Sequence, residues 1–102
     1  MKRYNKIVRD NIPQIIQNSG KQYSIETVTD KEAIKFLIDK LFEEATELKK
    51  KFCAEEIADI QEVLNAIINK SPWNKSEIDD IRKEKHKERG GFDQDVILKL
   101  VK

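Results

Sequence analysis

Apolar residues recur at helical spacing through the middle of the chain. Ile34, Leu37, Ile38, Leu41, Ala45, Leu48 and Phe52 keep one face apolar for about five turns. After Phe52-Cys53-Ala54, where the chain can reverse sharply, Ile57, Ile60, Val63, Leu64, Ile67 and Ile68 do the same. Thr29-Asp30-Lys31-Glu32 matches a capping box and marks the start of the first helix. The second is expected from about Ala54 to Asn69, with Ser71-Pro72 as its stop, and so short a connection brings it back antiparallel. Upstream, Tyr4 to Asp10 reads as irregular or briefly extended. A short helix follows, with Asn11 as N-cap, Pro13 in its first turn, Ile12, Ile15 and Ile16 on one face, and Gly20 as its end. Lys21 to Val28 reads as a loop. Downstream, Asn74 or Ser76 can cap a helix from about Glu77 to Arg89 that ends at Gly90-Gly91. The run Val96-Ile97-Leu98-Lys99-Leu100-Val101 is a strand-like tail or a docking segment. The pattern predicts an all-α helical bundle built on an antiparallel helix hairpin with flanking short helices.

Two interruptions in the apolar stripes carry the candidate chemistry. Leu37, Leu41, Glu44 and Leu48 follow the i, i+4, i+7, i+11 ladder, and so do Glu56, Ile60, Val63 and Ile67. Each stripe is apolar but for one glutamate. Each glutamate also has an acidic neighbour three residues on, Glu47 and Asp59, on the same side of its helix. A carboxylate drawn into a core stripe is costly unless it is neutralised, paired or bound to a cation, and a hard divalent ion meets that need. Yet 38% of the residues are charged, and the same spacing recurs at Asp59/Glu62 and Glu77/Asp80. On spacing alone, a metal site and a solvated acidic face remain open alternatives.

Composition narrows the classes. A chain of 102 residues makes one small domain, and 38% hydrophobic with 7% aromatic residues leaves little apolar area for stripes this wide, so a homo-oligomer is expected. The net charge of +1 comes from 20 basic and 19 acidic residues mixed along the chain. That is no field for a nucleic-acid backbone, and polymeric DNA or RNA is excluded as the expected partner. Cys53, the only cysteine, rules out an internal disulfide and fits a reducing compartment. It reads as a small apolar residue in the reversal. No run is long enough to span a membrane, and Met1-Lys2-Arg3 is not followed by a signal-peptide core, so a soluble cytoplasmic protein is expected. Trp73 reads as a packing anchor rather than a stacking platform. Ile78, Arg82, Lys85 and Arg89 share a stripe on the last helix that can meet an anion, or can form an ion-paired surface with Glu84 and Glu88. His86 has no acid three positions before it, which removes the di-iron signature.

The order of these pieces resembles the MazG-like branch of the all-α NTP pyrophosphatase superfamily, close to phosphoribosyl-ATP pyrophosphohydrolase-like proteins. The resemblance rests on Tyr4-Asn5-Lys6-Ile7-Val8-Arg9-Asp10 with Ile12-Pro13, on Lys40-Leu41-x-Glu43-Glu44-x-x-Glu47, on Glu56-x-x-Asp59, and on Lys85-x-x-x-Arg89-Gly90-Gly91-Phe92. It spans nearly the whole chain, residues 1–102, as a single domain of that type. The resemblance implies a Mg²⁺-dependent nucleoside triphosphate pyrophosphohydrolase, with Mn²⁺ able to substitute, that releases a nucleoside monophosphate and pyrophosphate in clearance of ordinary or damaged nucleotides. It implies Glu44, Glu47, Glu56 and Asp59 as metal ligands, and Glu47 and Glu56 as the catalytic acids. Lys85 and Arg89 are implied to hold substrate phosphates. Lys40 can pair with the acids or touch phosphate, and Lys6 and Arg9 are expected to reach the site of their own or a neighbouring subunit. Homodimers or homotetramers are implied. One departure is that only eight residues, Leu48 to Glu55, separate Glu47 from Glu56, fewer than is usual in MazG proper. The alternatives are hydrolysis of phosphoribosyl-ATP and a non-catalytic helical module that binds nucleotide or protein.

Overall fold

Four helices and no strand make up the computed structural model, which describes residues 1–102. They are α1 (Ile12–Asn18), α2 (Asp30–Lys50), α3 (Ala54–Lys70) and α4 (Lys75–Arg89). The start of α2 keeps one arm of the capping box: Thr29 Oγ1 accepts from the Glu32 backbone N–H at 3.2 Å, while the Glu32 carboxylate takes the Thr29 hydroxyl at 3.3 Å. At α4, Asn74 rather than Ser76 is the cap, its Oδ1 accepting from the Glu77 N–H at 2.8 Å. The helix therefore begins two residues before the expected Glu77. At α1 the expected cap fails. Asn11 holds the position but is itself helical, at φ −90 and ψ −1, and its side chain makes no capping bond. The turn is started instead by Ile12 N–H donating to the Arg9 carbonyl at 3.0 Å, while Pro13 has no N–H to satisfy.

The chain divides into two compact units, residues 1–72 and residues 73–102. In the first, α2 packs along α3, and the connection between them is only Lys51, Phe52 and Cys53. The core they share is small. Ala33, Leu37 and Val63 are buried at 5, 6 and 8% exposure, with Leu41, Leu48, Ile60 and Ile67 half-buried around them. Apart from Ala33, these are residues of the two ladders. At one end of the pair Lys70 Nζ meets Asp30 Oδ1 at 3.4 Å, and Cys53, a free thiol, stands half-buried at the N-cap position of α3. Ile38, Phe42, Ile57 and Leu64 remain exposed.

In the second unit α4 buries no residue. Gly90, at φ +81, ends it in the left-handed region that an L side chain resists. Beyond it the apolar tail has no regular structure, and Val96, Ile97, Leu98, Leu100 and Val101 are all exposed. Trp73, expected as a packing anchor, is 57% exposed. No helix is long and apolar enough to cross a membrane.

Candidate metal centre

Where α2 packs on α3, acids of the two ladders meet. One carboxylate oxygen from each of Glu44, Glu56 and Asp59 lies within 4.8 Å of the others. The side chain of Glu44 is 12% exposed and that of Asp59 is 31% exposed. The two glutamates are drawn in by their helices, since Glu44 shares its stripe with the buried Leu37 and Glu56 shares its own with the buried Val63.

Glu56 is the least satisfied of the three. Its Oε2 is buried with no hydrogen-bond partner. Loss of solvent pushes its carboxyl above the ordinary range, and the neighbouring carboxylates of Glu44, Asp59 and Glu47 push it further the same way. Such a group wants either a proton or a cation. The donor set is three hard carboxylate oxygens, and a cation bonded to each at roughly 2.0–2.6 Å can span their separation. The residues present therefore fit a hard divalent ion, with Glu56 the carboxylate most in need of one.

Glu47 stands apart from the trio. It is exposed and reaches Glu56 through its charge. Lys40, one turn before Glu44, makes ion pairs, at 3.6 Å to Glu44 and 3.8 Å to Glu43.

Two cations arrive from the N-terminal segment. Lys6 Nζ donates to Glu43 Oε1 at 2.8 Å, and Arg9 Nη2 donates to Asp59 Oδ1 at 2.8 Å. The first bond holds the Glu43 carboxyl below its ordinary range and the Lys6 ammonium above its own. The irregular segment thus crosses from α2 to α3 and brings Arg9 to a member of the trio. Asn5, at φ +45, bends the chain immediately before Lys6, in a region asparagine tolerates better than most residues.

Lys85 and Arg89 lie in the second unit. With Arg82, His86 and Phe92 they line an open hollow of about 520 Å³ at the C-terminal end of α4. A Cβ at Gly91 would come within 3.1 Å of His86 Nε2, so a side chain there would require the imidazole to shift. The hollow has a cationic rim, which suits anions.

Glu43 is the functional neighbour that motif spacing passes over. The Lys40-x-x-Glu43 spacing marks it as a partner for a cation. Its bond to Lys6, 37 residues away, has no local signal. No protein-family model, no curated protein and no solved structure matches this chain.

Proposed function

We propose that the chain, acting over residues 1–102 as one MazG-like domain, is a Mg²⁺-dependent nucleoside triphosphate pyrophosphohydrolase. The observation that carries this reading is the convergence of Glu44, Glu56 and Asp59, with the buried Glu56 Oε2 left without a partner. In this reading Glu44, Glu56 and Asp59 bind the ion directly. Glu47, exposed beside them, orients or deprotonates the attacking water. When bound, the ion neutralises phosphate oxygens and polarises the phosphorus under attack; Mn²⁺ serves in its place. Lys40 pairs with Glu44 at 3.6 Å, beside the trio. Phosphate binding by Lys85 and Arg89 is a separate expectation, supported by their place on the rim of one hollow.

The same reading makes α2 and α3 an antiparallel hairpin. Its support is that Asp30, at the start of α2, meets Lys70, at the end of α3, while Glu44 meets Glu56 near the connection. In such a hairpin Ile38 and Phe42 of α2 and Ile57 and Leu64 of α3 all lie about 100–140° around their helices from the buried stripe in the same sense, a turn of roughly 100° per residue. They then share one face. That face is exposed and apolar, and a second copy of the chain covers it in a homodimer or homotetramer, which also supplements a core of three buried residues. A cytoplasmic site of action follows from the nucleotide substrate.

The test is a pyrophosphate-release screen over nucleoside triphosphates with Mg²⁺, run beside Glu56→Gln protein of verified helicity. Release that needs both the metal and Glu56 supports the reading. Release from phosphoribosyl-ATP alone would replace the substrate, and tight nucleotide binding without release would replace the enzyme by a binding module.

A further inference from the structure

The N-terminal segment has no regular structure of its own, yet two charge-assisted bonds fasten it across both helices. The two bonds differ in what they engage. Lys6 holds Glu43, which lies outside the acidic trio, whereas Arg9 holds Asp59, which lies inside it. The Lys6 bond is an anchor that a metal would leave alone. The Arg9 bond engages a carboxylate that the metal would need.

A guanidinium and a divalent ion on one carboxylate repel each other, and the stronger field of the divalent ion wins its oxygens. Lys40 already supplies a second positive charge to Glu44. With Arg9 and Lys40 both in place, the centre carries two cations against three carboxylates, and there is little charge left over for an ion. Arg9 is also the easier of the two to move. Its side chain is 57% exposed, against 21% for Lys40.

Resting on the metal-centre reading above, we propose that Arg9 is the resident counter-cation of the Glu44–Glu56–Asp59 centre. It neutralises Asp59 while the centre is free of metal and is displaced when a divalent ion binds. Still tethered by Lys6 to Glu43, it is then free to meet the polyphosphate that the ion brings. Three residue steps from Lys6 keep it within roughly 10 Å of that anchor, and guanidinium suits phosphate oxygens as well as it suits carboxylate. Arg9 is thus a positioning residue for metal entry and a binding residue for the anion. One side chain exchanges partners in the order metal first, polyphosphate second.

The exchange has a signature with opposite signs. In calorimetric titrations, Arg9→Gln should bind Mn²⁺ about tenfold more tightly than the unmutated chain. With the metal saturating, it should bind inorganic tripolyphosphate about tenfold more weakly. Each change is the scale of one charge-assisted bond. Arg9→Lys, which keeps the charge, should stay near the unmutated chain in both, and Glu56→Gln should lose Mn²⁺ altogether. A loss of structure does not tighten one ligand and loosen the other, so a merely structural Arg9 is told apart. Unchanged or weaker Mn²⁺ binding in Arg9→Gln, with Glu56→Gln still abolishing it, overturns the exchange and leaves the metal centre standing. Tighter Mn²⁺ with unchanged tripolyphosphate overturns the transfer to the anion. An unmutated chain that binds no Mn²⁺ at millimolar concentration overturns both readings. Should Arg9→Gln lose helicity, the unmutated chain decides the matter: the Arg9 side-chain N–H resonances must move toward solvent exchange on addition of Mg²⁺, and resonances that stay in place overturn the proposal.

Discussion

The two units carry similar raw material and make different things of it. Both have an amphipathic helix, and both have an acidic pair at i and i+3, Glu56/Asp59 in one and Glu77/Asp80 in the other. In residues 1–72 a second helix packs on the first, so Glu56 is carried in with the stripe that buries Val63. In residues 73–102 α4 buries nothing, and Glu77 simply stands in the first turn of its helix, where negative charge suits the macrodipole. The same spacing is a candidate ligand set in one place and a helix-start signal in the other. Desolvation, and not the motif, separates them.

That contrast can be broken most severely through the core. Leu37→Ala removes a side chain that is 6% exposed from a core of three, and should cost about 2–4 kcal/mol. Ile81→Ala on the 57% exposed face of α4 should stay within about 0.5 kcal/mol. Urea unfolding of both variants, followed by far-UV circular dichroism, checks the pair. Equal losses would mean that α4 is packed as firmly as α2.

Glu56→Gln should act next, and in two directions. It removes metal binding, yet it should raise the melting temperature of the metal-free chain at neutral pH. The sign follows from the raised carboxyl of Glu56. A group whose folded value lies above its unfolded value favours folding while protonated, and that support is lost as pH rises through the folded value. Stability from this group is therefore full below its ordinary value of 4.5 and gone above the raised one. Glutamine, which never ionises, should flatten that slope in melting curves taken across the acid range. A melting temperature lowered at neutral pH would contradict the desolvated, repelled carboxylate.

Smaller effects mark the helix ends and the strap. Thr29→Ala removes the hydroxyl that accepts from Glu32 N–H and should cost about 1 kcal/mol in the same urea measurement. The Lys6–Glu43 pair is more than a third exposed on both sides, so Lys6→Ala should cost no more than about 1 kcal/mol. Its contribution is present above the ordinary Glu43 value and is lost as pH falls through the lowered one. At the basic end it is lost only as pH rises through the raised value of Lys6. A double-mutant cycle of Lys6→Ala with Glu43→Gln, run at acid and neutral pH, measures it.

What can be read in the sequence divides along the same physical line. Helix positions at Leu37, Glu44, Val63 and Glu56 follow from a period of 3.6, and a three-residue connection leaves α3 little choice but to pack on α2. Local spacing alone therefore puts Glu44, Glu56 and Asp59 on compatible stripes. It does not separate Glu47 from them, because i and i+3 share a side of the helix without sharing its depth, and Glu47 is exposed. Lys6 and Arg9 are legible as cations but not by partner. Their bonds join residues 37 and 50 positions apart, and such contacts follow from tertiary packing that no period encodes. Trp73 stays 57% exposed, because a general burial preference is an average and carries no information on how much of this ring its own neighbours cover.

The most direct test of the desolvated acid cluster as a metal centre is a calorimetric Mn²⁺ titration of three proteins: the unmutated chain, Glu56→Gln and Glu77→Gln. The two variants each remove one carboxylate from an acidic pair of identical spacing. The expected result is saturable binding to the unmutated chain that Glu77→Gln leaves intact and Glu56→Gln abolishes. Equal weakening by both substitutions, or no saturable binding to the unmutated chain, would contradict it and reduce the cluster to surface charge.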